Sequence, residues 1–471
     1  MKILLINPGS KDLRKSKIMV NEICSDKVFN YGILVLATFL TNHDIETDII
    51  DLDSEVTDLQ LLRDQVLLNK YSIVGISLFS YLSHINTVIV AKFIKSIDPS
   101  ITLVIGGQHA SSSEERLFDQ LKDNLDFIVR GEGENALYSI CRYLKNIRPF
   151  DKICNVSFRR GDKIIKNQMG PVLEKIERVN YELYPHFKRY IPMLEISRGC
   201  PHHCKFCAAA SNANNRFREK SIRDIREELE EVINLWDRPF LPIVMLCSYF
   251  SLNPVFKSEL LATLQGYIGK VSFLVSERIS NSYKLYKEKL LPLFDQVHFG
   301  LESANKNTLK LMNKTLDPDL YLNTAINAGR YYKTNGVHVT LNIILGYIGE
   351  KDSDLFITQD FLEKNREMFS SIKVFTLYDY PGTELRENYS TYRQQFGCER
   401  IGSSFFSYVD TYPLSPSSEL SFDDILGTQK KWAKLFPLAL QSYDYLKWYK
   451  GLPTDRLRSF YANNEVMNEH L

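Results

Sequence analysis

Short runs of aliphatic and β-branched residues, each closed by a turn and followed by a helical pattern, recur along most of this 471-residue chain. No other feature restricts the fold as much. Strands separated by helices pair in parallel and are covered by helices on both faces. In the N-terminal third the candidate strands are residues 2–6, 46–52, 73–77, 102–105 and 126–129, and residues 33–40 read as a buried helix. Asn7-Pro8-Gly9-Ser10 closes the first strand, Gly106-Gly107 the fourth and Gly131-Glu132-Gly133-Glu134 the fifth. The pattern predicts a doubly wound, Rossmann-like α/β domain over residues 1–148, with ligands beyond the carboxyl ends of its strands. Glycines at those ends serve equally well as plain turn formers.

Residues 149–190 read as a linker with a hairpin, in which Gly161-Asp162 turns between 156–158 and 164–165. A second series begins near Pro192. Its candidate strands are 193–196, 243–246, 271–275, 297–301, 337–345 and 373–377, with a helix over 221–236 started by Ser221. Six βα units are fewer than the eight of a closed barrel, so a partial (β/α)6 barrel is expected over 191–390. Residues 391–471 are rich in Tyr, Phe and Ser, and 421–434 and 437–450 look helical, giving a mostly helical C-terminal region. Rings such as Tyr408, Tyr412, Trp432, Tyr445 and Trp448 either pack a core there or cover the barrel mouth, and core packing is the commoner use.

Charge narrows the partners. Lys and Arg number 58 and Asp and Glu 57, so a net charge of +1 exerts no bulk pull on nucleic acid or an anionic membrane. The longest apolar stretches fall far short of the roughly 18 residues that suggest a spanning helix. The opening MKILLINPGS reads as a strand and turn, not a leader. A cytoplasmic chain with no membrane span and no nucleic-acid partner is expected.

Eight cysteines do not make a disulfide scaffold in a chain this long, but three of them fall within eight residues. Cys200-Pro201-His202-His203-Cys204-Lys205-Phe206-Cys207 has Cys-x3-Cys-x2-Cys spacing just after a strand. Thiolates so close together suit a soft metal centre. One reading is zinc, with His202 or His203 as the fourth ligand. The other is a [4Fe–4S] cluster held by three thiolates, with one iron left open.

With its aromatic residue before the last cysteine, this stretch resembles the radical S-adenosylmethionine (SAM) superfamily. The resemblance implies that Cys200, Cys204 and Cys207 hold a [4Fe–4S] cluster whose open iron chelates SAM, and that one electron cleaves SAM to a 5′-deoxyadenosyl radical. Three later segments resemble the family in the same order. They are Val297-His298-Phe299-Gly300-Leu301-Glu302-Ser303 with Leu311-Met312-Asn313-Lys314, then Asn342 to Glu350, then Tyr380-Pro381-Gly382-Thr383. By that resemblance Phe206, Glu302, Ser303, Asn342, Ile344 and Gly346 contact SAM. One departure is Cys247-Ser248, standing where relatives carry acidic residues after the second strand.

Residues 1–148 resemble the cobalamin-binding domain that precedes the barrel in one large class of these enzymes. The implied cobalamin contacts are Asn7, Gly32, Ser77, Gly106, Gly107, Gln108, His109, Gly131, Glu132 and Gly133. Glycines there let backbone amides approach a corrin and its phosphate-bearing tail. The Asp-x-His-x-x-Gly motif that supplies a lower axial histidine in other cobalamin proteins is absent. His109 is left as a candidate ligand, against an ordinary hydrogen-bonding role in a βα turn. Val28-Phe29-Asn30 stands where relatives carry prolines.

Together the resemblances imply a cobalamin-dependent radical SAM methyltransferase, adding a methyl group from methylcobalamin to an unactivated carbon of a small molecule, peptide or lipid. An electron donor such as flavodoxin or ferredoxin is implied as well. Three rivals stand beside it: a non-methylating rearrangement, cyclisation or oxidation on the same cofactors, methylthio transfer to RNA, and a cofactor-binding regulator without activity. Cys24, Cys141 and Cys154 are too scattered to resemble the extra cluster ligands of the methylthio family.

Overall fold

The computed structural model describes residues 1–9, 28–53, 59–209, 216–247, 253–280, 288–402 and 404–436. The first sheet contains β1 (Lys2–Asn7), β2 (Glu46–Asp51), β3 (Ile73–Ser77), β4 (Thr102–Gly106), β5 (Phe127–Val129), β6 (Val156–Arg160) and β7 (Lys163–Lys166). Their spatial order is β2-β1-β3-β4-β5-β6-β7. Strands β1 to β5 are parallel, and the order reverses beside β1. Such a switch point is where open α/β sheets bind ligands. The runs Ile3–Ile6 and Ile73–Ile76 are buried throughout, as strands covered by helices on both faces must be. The hairpin does not stand free between domains. Its strand β6 pairs antiparallel with β5, Val129 opposite Val156, and so lengthens the first sheet.

The second sheet contains β8 (Met193–Glu195), then, after a two-stranded ribbon of β9 (Ser197–Arg198) and β10 (Arg218–Glu219), β11 (Leu241–Leu246), β12 (Val271–Glu277), β13 (Phe294–Glu302), β14 (His338–Leu345) and β15 (Ser371–Thr376). All six main strands are parallel and lie in chain order from β8 to β15, the arrangement of a partial barrel. Helices such as Ile222–Trp236 and Pro318–Thr334 connect them. Ser221 caps the first of these, its Oγ accepting from the Asp224 amide at 3.0 Å.

The C-terminal part holds helices Tyr389–Phe396 and Phe422–Leu435. It also holds a small antiparallel sheet of β16 (Tyr378–Asp379), β17 (Glu399–Arg400) and β18 (Tyr412–Ser415). The expectation of a mostly helical region missed that sheet, because strands this short leave no periodic signal. Trp432 is fully buried and donates to Gln359 Oε1 at 3.2 Å, which is core packing. The expected helix over 437–450, with Tyr445 and Trp448, lies outside the described residues, as do Cys24 and Ser248.

One apolar core runs without a break from the first sheet into the second, including Ile3, Leu34, Tyr181, Leu229 and Val297. The junction is also polar. Tyr184 and Tyr190 donate to Asp51 Oδ2 at 2.6 and 3.0 Å, and Tyr181 donates to Glu228 Oε1 at 2.9 Å. Among the described residues no helix is long and apolar enough to cross a membrane.

Candidate active site

The cysteine loop springs from the β9–β10 ribbon, in which Arg198 stands opposite Arg218. Gly199 starts the loop at φ +80°, and a Cβ there would lie 2.3 Å from the Arg216 carbonyl oxygen, so only glycine fits. Cys207 N donates to Cys204 O at 3.0 Å, which makes a tight turn of the second half. Backbone bonds then pin the loop to two distant segments. Lys205 N donates to Met312 O at 3.1 Å, and Leu385 N donates to Lys205 O at 2.9 Å. Asn313 Nδ2 adds a bond to His203 O at 2.8 Å. The cysteine loop, the Leu-Met-Asn-Lys segment and the Pro-Gly-Thr turn therefore meet at the carboxyl end of the barrel strands.

Two cations face the thiols. Arg278 Nη1 lies 3.6 Å from Cys204 Sγ. Lys314 pairs with Glu302 Oε1 at 2.9 Å, and both side chains are about nine-tenths buried (8% and 10% exposed). Burial disfavours the Lys314 ammonium, but Glu302 outweighs it and holds the amine above its ordinary range. Burial pushes the Cys200 and Cys207 thiols up, while Lys314 pulls both back toward thiolate. These cations suit an anionic thiolate-bound group. Cys200, Cys204 and Cys207 are in no disulfide. Three thiolates on one short loop suit a [4Fe–4S] cluster, whose thiolates sit on separate irons.

The residues expected at SAM lie around this loop. Phe206 packs edge-on against Tyr347, centroids 6.3 Å apart, in a small apolar cluster that Ile344 flanks. Glu302 sits at φ +69°, just after a register shift in β13. A Cβ on Gly300 would lie 2.4 Å from its carboxylate. Ser303 bonds Thr358 Oγ1 at 3.2 Å and Glu350 Oε1 at 3.4 Å. Glu350 accepts from the Gly346 and Tyr347 amides at 3.0 and 2.9 Å, and so shapes the turn after β14. Burial nevertheless pushes its carboxyl up to about 8, against those amides. Asn342 Oδ1 is buried on β14 without a hydrogen-bond partner. A buried acceptor of this kind is open to a donor from a ligand.

In the first domain the expected cobalamin residues share the carboxyl ends of β1, β3, β4 and β5. Asn7 donates to Asp51 Oδ1 at 2.7 Å, and Asn30 donates to Ser77 Oγ at 3.1 Å. Asn30 also caps helix Tyr31–Thr41, in the stretch where prolines were expected, with Gly32 in its first turn. Gly107 has φ +116°, and a Cβ there would lie 2.6 Å from Leu78 O. Its turn, from Gly106 into Gln108, has no room for a side chain. Phe79 stands two-thirds exposed (66%) beside it. His109 is buried, its Nε2 3.2 Å from His84 Nδ1 and 3.4 Å from Ser113 Oγ. Burial first, and His84 second, push its pKa down to about 3. Glu132 pairs with Arg218, whereas Gly131 and Gly133 flank it in the turn after β5. Tyr81, after β3, stacks on Tyr378 at 5.7 Å and meets Tyr380 at 5.9 Å, so the two strand-end faces approach one another.

Sequence reasoning missed Arg198, Arg218 and Arg278 as functional candidates, because a lone cation carries no spacing signal, and it named Lys314 within a family-like segment without giving it a role. Cys247, one of the two residues that depart from the family pattern, directly follows β11. Burial pushes its thiol up to about 12, so it stays protonated.

Comparison with known proteins agrees with this geometry. Residues 194–362 match the radical SAM superfamily, and residues 20–140 match the B12-binding domain. An uncharacterised methyltransferase of Pyrococcus horikoshii is 25% identical over 402 residues, covering 82% of this chain and 83% of that protein. The anaerobic magnesium-protoporphyrin IX monomethyl ester cyclase of Rubrivivax gelatinosus is 23% identical, covering 64% of this chain and 56% of its own. Among solved structures, the radical SAM methyltransferase TsrM of Kitasatospora setae superposes with a TM-score of 0.68 at 14% identity, covering 86% of this chain and 79% of that one.

The chain thus joins an N-terminal B12-binding domain to a radical SAM domain, the pairing of the cobalamin-dependent radical SAM enzymes. Its cofactors are accordingly a [4Fe–4S] cluster, SAM and cobalamin.

Proposed function

We propose that the chain is a methyltransferase that adds a methyl group to an unactivated carbon of a small molecule, peptide or lipid. The observation that carries this reading is the meeting of two strand-end faces across Tyr81, Tyr378 and Tyr380. It sets the B12-type domain against the barrel end that bears the cysteine loop. Bound there, the groups supply reductive cleavage of SAM and a cobalt methyl carrier.

The chain's own residues do the positioning. Cys200, Cys204 and Cys207 hold the cluster on a loop fixed by the Met312 and Leu385 bonds. Lys314 and Arg278 offset its negative charge. Phe206, Ile344 and the Gly346 turn offer an apolar wall for the adenosyl end of SAM, while Asn342 and Glu302 offer polar contacts. The glycine turns after β4 and β5, with Asn7, Ser77 and Gln108, cradle cobalamin. An external flavodoxin or ferredoxin supplies the electron.

The test is the fate of methyl-labelled SAM. The reconstituted chain is incubated anaerobically with reductant and with small-molecule, lipid and peptide fractions. Label in a product carbon supports methyl transfer. The cyclase similarity favours one other reading, a non-methylating step. It predicts 5′-deoxyadenosine with an altered but unlabelled product.

A further inference from the structure

The search for an unused cluster of charges leads to the root of the cysteine loop. Arg198 and Arg218 are register partners in the β9–β10 ribbon, and the cysteine loop is the connection between them. Both guanidiniums reach out of the barrel domain into one turn of the other domain. Arg198 is bidentate to Glu195, with contacts of 2.8 and 3.0 Å, and also donates to Glu134 Oε1 at 2.6 Å. Glu132 Oε2 lies 3.9 Å from it. Arg218 grips both oxygens of Glu132 and the Leu173 carbonyl. The four side chains range from 5% to 16% exposed. Buried ion pairs are rigid, because any displacement strips a charge of its partner in a low dielectric.

The two ends of this clasp matter. Glu132 and Glu134 alternate with Gly131 and Gly133 in the turn after β5, at the strand end where cobalamin contacts are placed. On the other side, Gly199 alone separates Arg198 from Cys200, and its close approach to Arg216 leaves no slack. We propose that the Glu132–Arg218 and Glu134–Arg198 pairs are positioning contacts that couple cobalamin binding in the first domain to the cluster and SAM site in the second. The inference rests on the cofactor placement of the proposed function. The clasp is not needed to keep the domains together, since the continuous apolar core and the Asp51 and Glu228 bonds already do so. Coupling of this kind is reciprocal, and typical values change affinity at least about fivefold.

The experiment titrates SAM into the full-length reconstituted chain, with and without hydroxocobalamin, reading the electron paramagnetic resonance (EPR) spectrum of the reduced cluster. Wild type is expected to bind SAM with an affinity changed at least about fivefold by cobalamin. Glu134→Gln leaves Arg198 paired with Glu195, and Arg218→Gln breaks the other pair. Each is expected to retain iron and cobalamin while the cobalamin effect shrinks to less than about half in fold terms. Glu134→Asp, which keeps the charge, is expected to restore part of it. Wild type that binds both cofactors without coupling overturns the inference, as do variants that keep the full effect or lose a cofactor outright. Wild type that fails to take up a cofactor overturns the cofactor placement itself, which is a separate result.

Discussion

Lys314 Nζ lies 2.9 Å from Glu302 Oε1, and this buried pair stands beside the cysteine loop at the top of the barrel. Removing one partner leaves an uncompensated charge, which costs about 3–5 kcal/mol. Lys314→Met is therefore expected to destabilise the anaerobic holoprotein by about that much in urea unfolding. The double variant Lys314→Met with Glu302→Gln is expected to lose clearly less. Losses that simply add would show that the two side chains do not act as a pair.

Glu350 gives a pH dependence with a definite sign. Burial raises its carboxyl from the ordinary value to about 8, so the fold prefers the neutral form. Its contribution is complete below the unfolded carboxyl range and is lost as pH rises through about 8. Thermal stability is expected to fall from about pH 4.5 to about pH 8 and to level off above that point. Glu350→Gln is expected to flatten this part of the profile. An unchanged slope over that range in the variant removes Glu350 as the cause.

The parallel strands were legible to within three residues at either end, because β-branched runs ended by turns mark their length and their parallel pairing. Pairings between distant segments were not. The place of β6, between β5 and the edge strand β7, depends on β5, and the two-residue strands β16 and β17 of the C-terminal sheet exist only through β18. In the site, Cys200, Cys204 and Cys207 announced themselves by spacing. Arg198 and Glu134, 64 positions apart, had no local pattern, and neither did Arg278 facing Cys204, 74 positions away.

Gly107 is held at φ +116° against the Leu78 carbonyl. Gly107→Ala forces both strain and a backbone shift, a cost of about 1–3 kcal/mol. The variant is expected to unfold at lower temperature and to retain less hydroxocobalamin after gel filtration. Retention equal to wild type would mean that this turn does not shape the cobalamin site.

His109 is tied to His84 and Ser113 inside the first domain. The EPR spectrum of the cob(II)alamin form is expected to lack splitting from a histidine nitrogen, and His109→Gln is expected to leave it unchanged. Nitrogen splitting that disappears in the variant would make His109 an axial ligand.

The central claim is that Cys200, Cys204 and Cys207 hold an iron–sulfur cluster. Iron and zinc are measured on the chain after anaerobic reconstitution with iron and sulfide, beside a variant with all three cysteines replaced by alanine. The account predicts about four irons per chain in wild type and none held at this loop in the variant. Zinc bound in place of iron, or iron unchanged by the triple substitution, would contradict it.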